Sequence, residues 1–159
     1  MQISTLLNTD TVASGAQIAS KKRLLEFVSD MLAKNAGGVQ PRRIFESLVS
    51  RERLGSTGLG GGVAIPHGRV KDGHTTIGAF VQLDEPIDYD AVDRRPVDLV
   101  FALLVPMEST QEHLEILSRL AEMFSSAEYC EKLRAAGDSG ELLRLLDMEV
   151  DRSNESSPD

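Results

Sequence analysis

Residues 61–70 read GGVAIPHGRV, which sets a histidine between the residue that most restricts the backbone and the one that most loosens it. Pro66 has no amide hydrogen for a sheet ladder and pushes Ile65 into extended backbone. His67 is therefore expected at the end of a short buried strand, on a well-fixed main chain. Gly68 is expected to leave room beside the ring for another backbone or a bulky anion. With an ordinary pKa of about 6.5, a histidine so placed is largely neutral at cytoplasmic pH and can act as a nucleophile. A second histidine, His113, falls in the first turn of a helical pattern that starts after Ser109. It shares a face with Leu117, Leu120 and Phe124 and should point inward, where the positive end of the helix favours a neutral ring and a nearby anion. The third, His74 in KDGHTT, has no such support and reads as a surface residue.

Cations gather near the first histidine in an otherwise acidic chain: Arg51, Arg53, Arg69 and Lys71, with Ser56 and Thr57 adding hydroxyl groups. Phosphoryl transfer requires positioning and charge stabilisation above all, and this inventory suffices for it. Taken alone, the residues favour plainer readings: an exposed loop histidine at 67, a core histidine at 113, and two arginines at the solvated end of a helix. Two cofactor classes are excluded by spacing. GSTGLGGGVA has no lysine where a P-loop needs one, and the third glycine of a dinucleotide fingerprint would fall on Val63 or Ile65. Three histidines without local ligand spacing give no metal site. The chain is expected to need neither metal nor nucleotide.

The elements that must hold these residues follow from periodicity. Ser20 caps a helix with Leu24, Phe27, Val28, Met31 and Leu32 at helical spacing, ending at NAGG. A second helix starts near Pro41, buries Ile44, Phe45, Leu48 and Val49, and ends before Gly55. TTIGAFVQL alternates, with Ile77, Ala79, Val81 and Leu83 on one face of a half-buried strand. VDLVFALLV, residues 97–105, is apolar throughout and suits a central strand covered on both faces. Residues 109–148 return to helices, with Ser109 and Glu112 forming a capping box and Asp138 and Glu141 a similar acidic start. This order implies an α/β fold, a single-domain three-layer α/β/α sandwich around a mixed central sheet. The domain spans residues 1–148, and 149–159 form a polar, acidic tail expected to be disordered.

The length of 159 residues fits one domain, and its 41% apolar and 26% charged residues are ordinary for a globular protein. A net charge of −8 argues against nucleic-acid binding, which needs a basic face. Cys130 stands alone, so no internal disulfide forms; it reads as a structural or incidental residue. With neither a membrane-length apolar run nor a signal pattern, the expected location is the cytoplasm.

At ERLGSTGLGGGVAIPHG the chain resembles the active-site stretch of mannitol/fructose-class enzyme IIA domains of the bacterial phosphotransferase system. That signature begins with an acidic or amide residue, here Glu52, passes through Leu59 and Gly60, and finishes on Val63-Ala64-Ile65-Pro66-His67-Gly68. The likeness continues through PIDYDAVDRRPVDLVFALLVP and HLEILSRLA and covers most of residues 18–147, in the style of the nitrogen-regulatory branch. It implies that His67 accepts a phosphoryl group from a small histidine phosphocarrier protein, supplied ultimately by phosphoenolpyruvate. It also implies that His113 hydrogen-bonds the phosphohistidine or its phosphate, and that Arg51 is the phosphate's neighbour. The site expected is thus His67, His113 and Arg51, with a shallow, partly apolar donor-docking face around it. The expected function is a phosphohistidine carrier whose phosphorylation state regulates nitrogen- or potassium-related targets, potassium transport or sensor proteins among them. The alternatives are a stand-alone sugar-transport enzyme IIA that passes phosphate to a IIB partner, and a binding module that never carries phosphate.

Overall fold

The computed structural model of the chain describes residues 3–71 and 75–155. Two short 3-10 turns, Ile3–Leu6 and Thr9–Thr11, lead into strand β1 (Val12–Ala16) and then helices α1 (Lys21–Ala33) and α2 (Pro41–Glu52). Five strands follow: β2 (Gly58–Gly60), β3 (Val63–Ala64), β4 (His67–Val70), β5 (Ile77–Ile87) and β6 (Val97–Pro106). Helices α3 (Thr110–Phe124), α4 (Ala127–Ala135) and α5 (Ser139–Glu155) complete the fold. The last helix continues past residue 148, where the sequence placed the start of the tail; residues 156–159 and His74 lie outside the described residues.

The sheet is mixed, in the order β1-β5-β6-β3-β2, with β4 also paired to β6. β6 is its spine, antiparallel to β5 and parallel to both β3 and β4. Side chains alternate along it. Val100, Ala102 and Leu104 join the core formed with α1 and α2, whereas Leu99, Phe101, Leu103 and Val105 join the core formed with α3, α4 and α5. Helices therefore cover both sheet faces, and the expected α/β/α sandwich is observed. No helix among the described residues is long and apolar enough to cross a membrane.

Local chemistry explains the boundaries. The Ser20 hydroxyl accepts the Arg23 N–H at 3.2 Å to open α1, and Pro41 occupies the first turn of α2. Asp138 accepts the Glu141 N–H at 2.8 Å, while the Glu141 carboxylate reaches back to the Gly137 N–H at 3.1 Å. The capping box expected at Ser109 does not form. Its backbone (φ −92°, ψ 55°) is not the extended conformation of an N-cap, and its hydroxyl makes no capping bond.

Strand β5 also differs from its half-buried expectation, since both its faces are covered from Ile77 to Leu83. Its one polar side chain there, Gln82, is 7% exposed. It accepts the Gly15 N–H of β1 at 2.9 Å and donates to the carbonyls of Leu133 and Ala136, at 2.8 and 2.9 Å, where α4 ends. A side chain that signals solvent in sequence here ties three elements together.

Candidate active site

The chain reaches the site through an interrupted strand. Val63 and Ala64 pair with Leu99 and Val100, then His67 and Gly68 pair with Leu103 and Leu104. The offset is unchanged across Ile65-Pro66, so β3 and β4 are one run against β6 broken at the proline. The Pro66 carbonyl still accepts the Leu103 N–H at 2.9 Å. His67 thus opens a strand where the sequence suggested that it closes one, because the ladder resumes as soon as the missing N–H is passed.

Alternation then sorts the side chains. His67 and Arg69 lie on the α3 face, and Gly68 and Val70 lie on the α2 face. The close approach of another backbone expected at Gly68 is observed, but on the sheet face away from the imidazole, and no room is left there for an anion. A Cβ at Gly68 would stand 2.3 Å from Ser47 Oγ and 3.2 Å from the Ser47 carbonyl carbon. The glycine admits α2, whose Ser47 hydroxyl donates to the Arg69 carbonyl at 2.9 Å. The glycine run upstream forms the β2–β3 turn, with φ of 95°, 65° and 84° at Gly60, Gly61 and Gly62. Gly61 is pinned on both sides, its N–H to Asp93 at 2.9 Å and its carbonyl to Arg134 at 2.7 Å.

His67 and His113 meet edge to face, ring centroids 5.1 Å apart and planes at 75°. They are 7% and 5% exposed, and both line an open cleft of about 550 Å3 between the end of α2 and the start of α3. Partner chemistry sets the two tautomers. His67 Nδ1 lies 2.8 Å from the Ile65 carbonyl oxygen, which can only accept, so Nδ1 carries the hydrogen and Nε2 keeps a lone pair. His113 Nδ1 accepts from Arg69 Nε at 3.1 Å, so in the neutral ring Nε2 carries the hydrogen. That Nε2 is buried with no hydrogen-bond partner among the described residues. Both rings are held neutral near pH 7. Burial holds the His67 pKa below its ordinary 6.5, opposed by the bond to Ile65 and aided by the Arg51 charge. Burial, then the neighbouring His67, Arg69 and Arg51, bring His113 down to about 4.

Arg51 lines the same cleft, its guanidinium donating to the Gly55 carbonyl at 2.8 Å. The three expected site residues are therefore neighbours. Arg69, one cation of four in the sequence reading, joins them through His113; the two-residue strand period already puts it on the same face as His67. The remaining candidates lie elsewhere. Arg53 faces a groove between α1 and α2 with Lys21 and Lys22, and Lys71 is exposed outside the cleft. Ser56 and Thr57 bond to Tyr89 and Glu52. Leu54, Met107 and Leu114, which are 84%, 49% and 60% exposed, stand around the cleft mouth.

The profile described as "Phosphoenolpyruvate-dependent sugar phosphotransferase system, EIIA 2" matches residues 5–148. The chain belongs to this EIIA family. Among its relatives is the nitrogen regulatory protein of Escherichia coli K12, 44% identical over 147 residues, which are 92% of this chain and 90% of that one. The nitrogen regulatory protein of Pseudomonas aeruginosa is 45% identical over 127 residues, 80% of this chain and 82% of its own. The crystal structure of nitrogen regulatory protein IIA-Ntr from Neisseria meningitidis superposes with a TM-score of 0.86 at 42% identity, covering 91% of this chain and 98% of that one. The mannitol IIA of Escherichia coli is more distant, with a TM-score of 0.75 at 26% identity over 88% of this chain and 98% of its own. This EIIA chain is thus a homologue of nitrogen regulatory proteins and a phosphotransferase-system component, which transfers a phosphoryl group through histidine.

Proposed function

We propose that the transferring histidine is His67, that it is charged by a small histidine phosphocarrier protein, and that the phosphorylation state of this EIIA chain regulates nitrogen- or potassium-related target proteins. One observation carries the assignment: the Ile65 carbonyl holds the hydrogen on Nδ1 and leaves Nε2 as the nucleophile of an open cleft, beside the unpartnered Nε2–H of His113. Neutral His67 attacks the donor phosphohistidine in line. The donor's phosphorus–nitrogen bond breaks and its imidazole keeps the bonding pair, while a bond forms from His67 Nε2 to phosphorus. The Nδ1–H stays on the Ile65 carbonyl. His113 donates its Nε2–H to a phosphoryl oxygen, and the Arg51 guanidinium offsets the transferred charge. The apolar rim of Leu54, Met107 and Leu114 supplies a docking face, in keeping with transfer between two proteins.

Regulation is favoured over sugar transport because the nitrogen regulatory relatives range from 36% to 45% identity, whereas the fructose-specific EIIA component of Haloferax volcanii stands at 36%. Incubation with phosphoenolpyruvate, enzyme I and the phosphocarrier protein should label the chain once, with an acid-labile phosphorus–nitrogen bond. The label should vanish in His67→Ala, and persistent labelling of that variant would refute the assignment. Fast, specific transfer onward to a fructose- or mannitol-type IIB domain would move the reading to sugar transport. No labelling at all would leave a binding module.

A further inference from the structure

Behind the cleft lies a second polar cluster. The Glu52 side chain is 6% exposed and accepts from four donors. Lys21 Nζ, at the start of α1, lies 3.0 Å from Oε2. The Tyr89 hydroxyl donates to Oε1 at 2.9 Å, the Thr57 amide approaches both oxygens at 3.2 and 3.3 Å, and the Thr57 hydroxyl also bonds to Oε1. Tyr89 is fully buried, with the Lys21 ammonium 4.4 Å from its ring centroid. Burial and the Glu52 charge raise the Tyr89 pKa, so its hydroxyl stays a donor.

The cluster connects to the nucleophile through the main chain. The Thr57 carbonyl accepts the Ile65 N–H at 3.0 Å, and the Ile65 carbonyl accepts from His67 Nδ1 at 2.8 Å. The peptide that follows Ile65 leads into Pro66 and has no N–H of its own. The direction of the Ile65 carbonyl therefore depends on how residue 65 is held, and what holds it is Thr57. On the cleft side Arg51 clamps the same turn through Gly55.

We infer that Glu52 is a positioning residue for His67, fixing the tautomer and orientation of the imidazole through the relay Glu52–Thr57–Ile65–His67, with Lys21 and Tyr89 anchoring the carboxylate. This rests on His67 being the nucleophile. The family signature admits an amide at this position, but in this chain a carboxylate matches all four donors at once. An amide nitrogen would face either the donor-only Lys21 ammonium and Thr57 N–H or the Tyr89 and Thr57 hydroxyls, which must then turn to accept. With the relay loosened, the Ile65 carbonyl no longer selects the Nδ1–H form. Part of the population then carries its hydrogen on Nε2 and cannot attack.

The tautomer can be read without any phosphorylation, from long-range proton–nitrogen spectra of full-length protein labelled at histidine. In the wild type, His67 should show a protonated Nδ1 and an unprotonated Nε2. In Glu52→Gln the two His67 nitrogens should move toward averaged values while those of His113 stay in place. Phosphoryl acceptance from the carrier should slow about tenfold with little change in the KM for the donor. Tyr89→Phe, which removes one anchoring donor, should move the same signals by less. His67 signals identical to wild type in a folded Glu52→Gln, with a rate within twofold, would overturn the assignment. Should Glu52→Gln fail to fold, Tyr89→Phe decides, and unchanged His67 signals there have the same force. A label found on another residue would sink the choice of nucleophile, yet the tautomer spectra would still test the relay.

Discussion

Two imidazoles with the same intrinsic chemistry become complementary through what their Nδ1 atoms touch, a carbonyl for His67 and a guanidinium N–H for His113. The unpaired His113 Nε2–H has a cost, of order 1–3 kcal/mol for a buried donor, that an arriving phosphoryl oxygen would remove. Acid adds a second cost. His113 titrates at about 4 when folded and near 6.5 when free, so between those values the unfolded chain binds more protons than the folded one. The neutral ring costs nothing above the unfolded pKa, and stability is lost as pH falls from there toward the folded value. We expect wild type to lose about 2 kcal/mol more than His113→Gln between pH 7 and pH 4.5, read from urea unfolding at both values. Parallel losses in the two proteins would remove the buried-neutral reading of His113. Its residue type and helical face were legible in the sequence. The guanidinium that sets its tautomer was not, because Arg69 approaches from a strand 44 residues away.

Strand β4 and helix α2 act as a unit. Period-two alternation sends His67 to the α3 face, and the same rule sends Gly68 to α2, so the glycine is needed for close packing of the helix that carries Arg51. Gly68→Ala drives a methyl into Ser47 and should lower stability by about 1–3 kcal/mol, measured as a fall in Tm. Adding Ser47→Ala should recover part of that loss, since the nearest clashing atom is the hydroxyl oxygen at 2.3 Å. Ser47→Ala alone should cost about 1 kcal/mol for the bond to the Arg69 carbonyl. A Gly68→Ala protein as stable as wild type would show that α2 sits farther from the strand. The glycine's importance was visible in the motif, and another backbone does approach it, but from the face opposite the imidazole. A linear string does not say which sheet face a helix covers.

Across the molecule, Gln82 is the polar pin that joins the sheet to the end of α4. It sits on β5, takes the Gly15 N–H of β1 and serves the carbonyls that end α4. Gln82→Leu would leave the buried Ala136 carbonyl without this donor, the Leu133 carbonyl with only the Ala136 N–H, and the Gly15 N–H to water. It should destabilise the protein by about 1–3 kcal/mol in denaturant unfolding. The proposed phosphorylation by the carrier should be unchanged at temperatures where the variant is folded, because the residue does not line the His67 cleft. A neutral effect on stability would mean that water replaces the amide. Alternation in TTIGAFVQL marked this strand as half-buried, with Ile77, Ala79, Val81 and Leu83 on the buried face, which leaves Gln82 on the other. Only the packing of α4 and α5 over that face makes the position internal.

The sequence by itself determined the helices at Ser20 and Pro41, the buried strand at 97–105, the layered fold, and the family through the stretch ending at Pro66-His67-Gly68. These are matters of local period, capping and backbone restriction, which neighbouring residues settle among themselves. The tertiary structure decided which nitrogen of each histidine bears the hydrogen, that Arg51 and Arg69 stand at the site while Arg53 and Lys71 do not, and what Gly68 and Gln82 are for. The Ile65 carbonyl that sets the His67 tautomer is only two residues away, but the rest depend on contacts between residues far apart in the chain, where the sheet register and the helix covering a given face choose the partner.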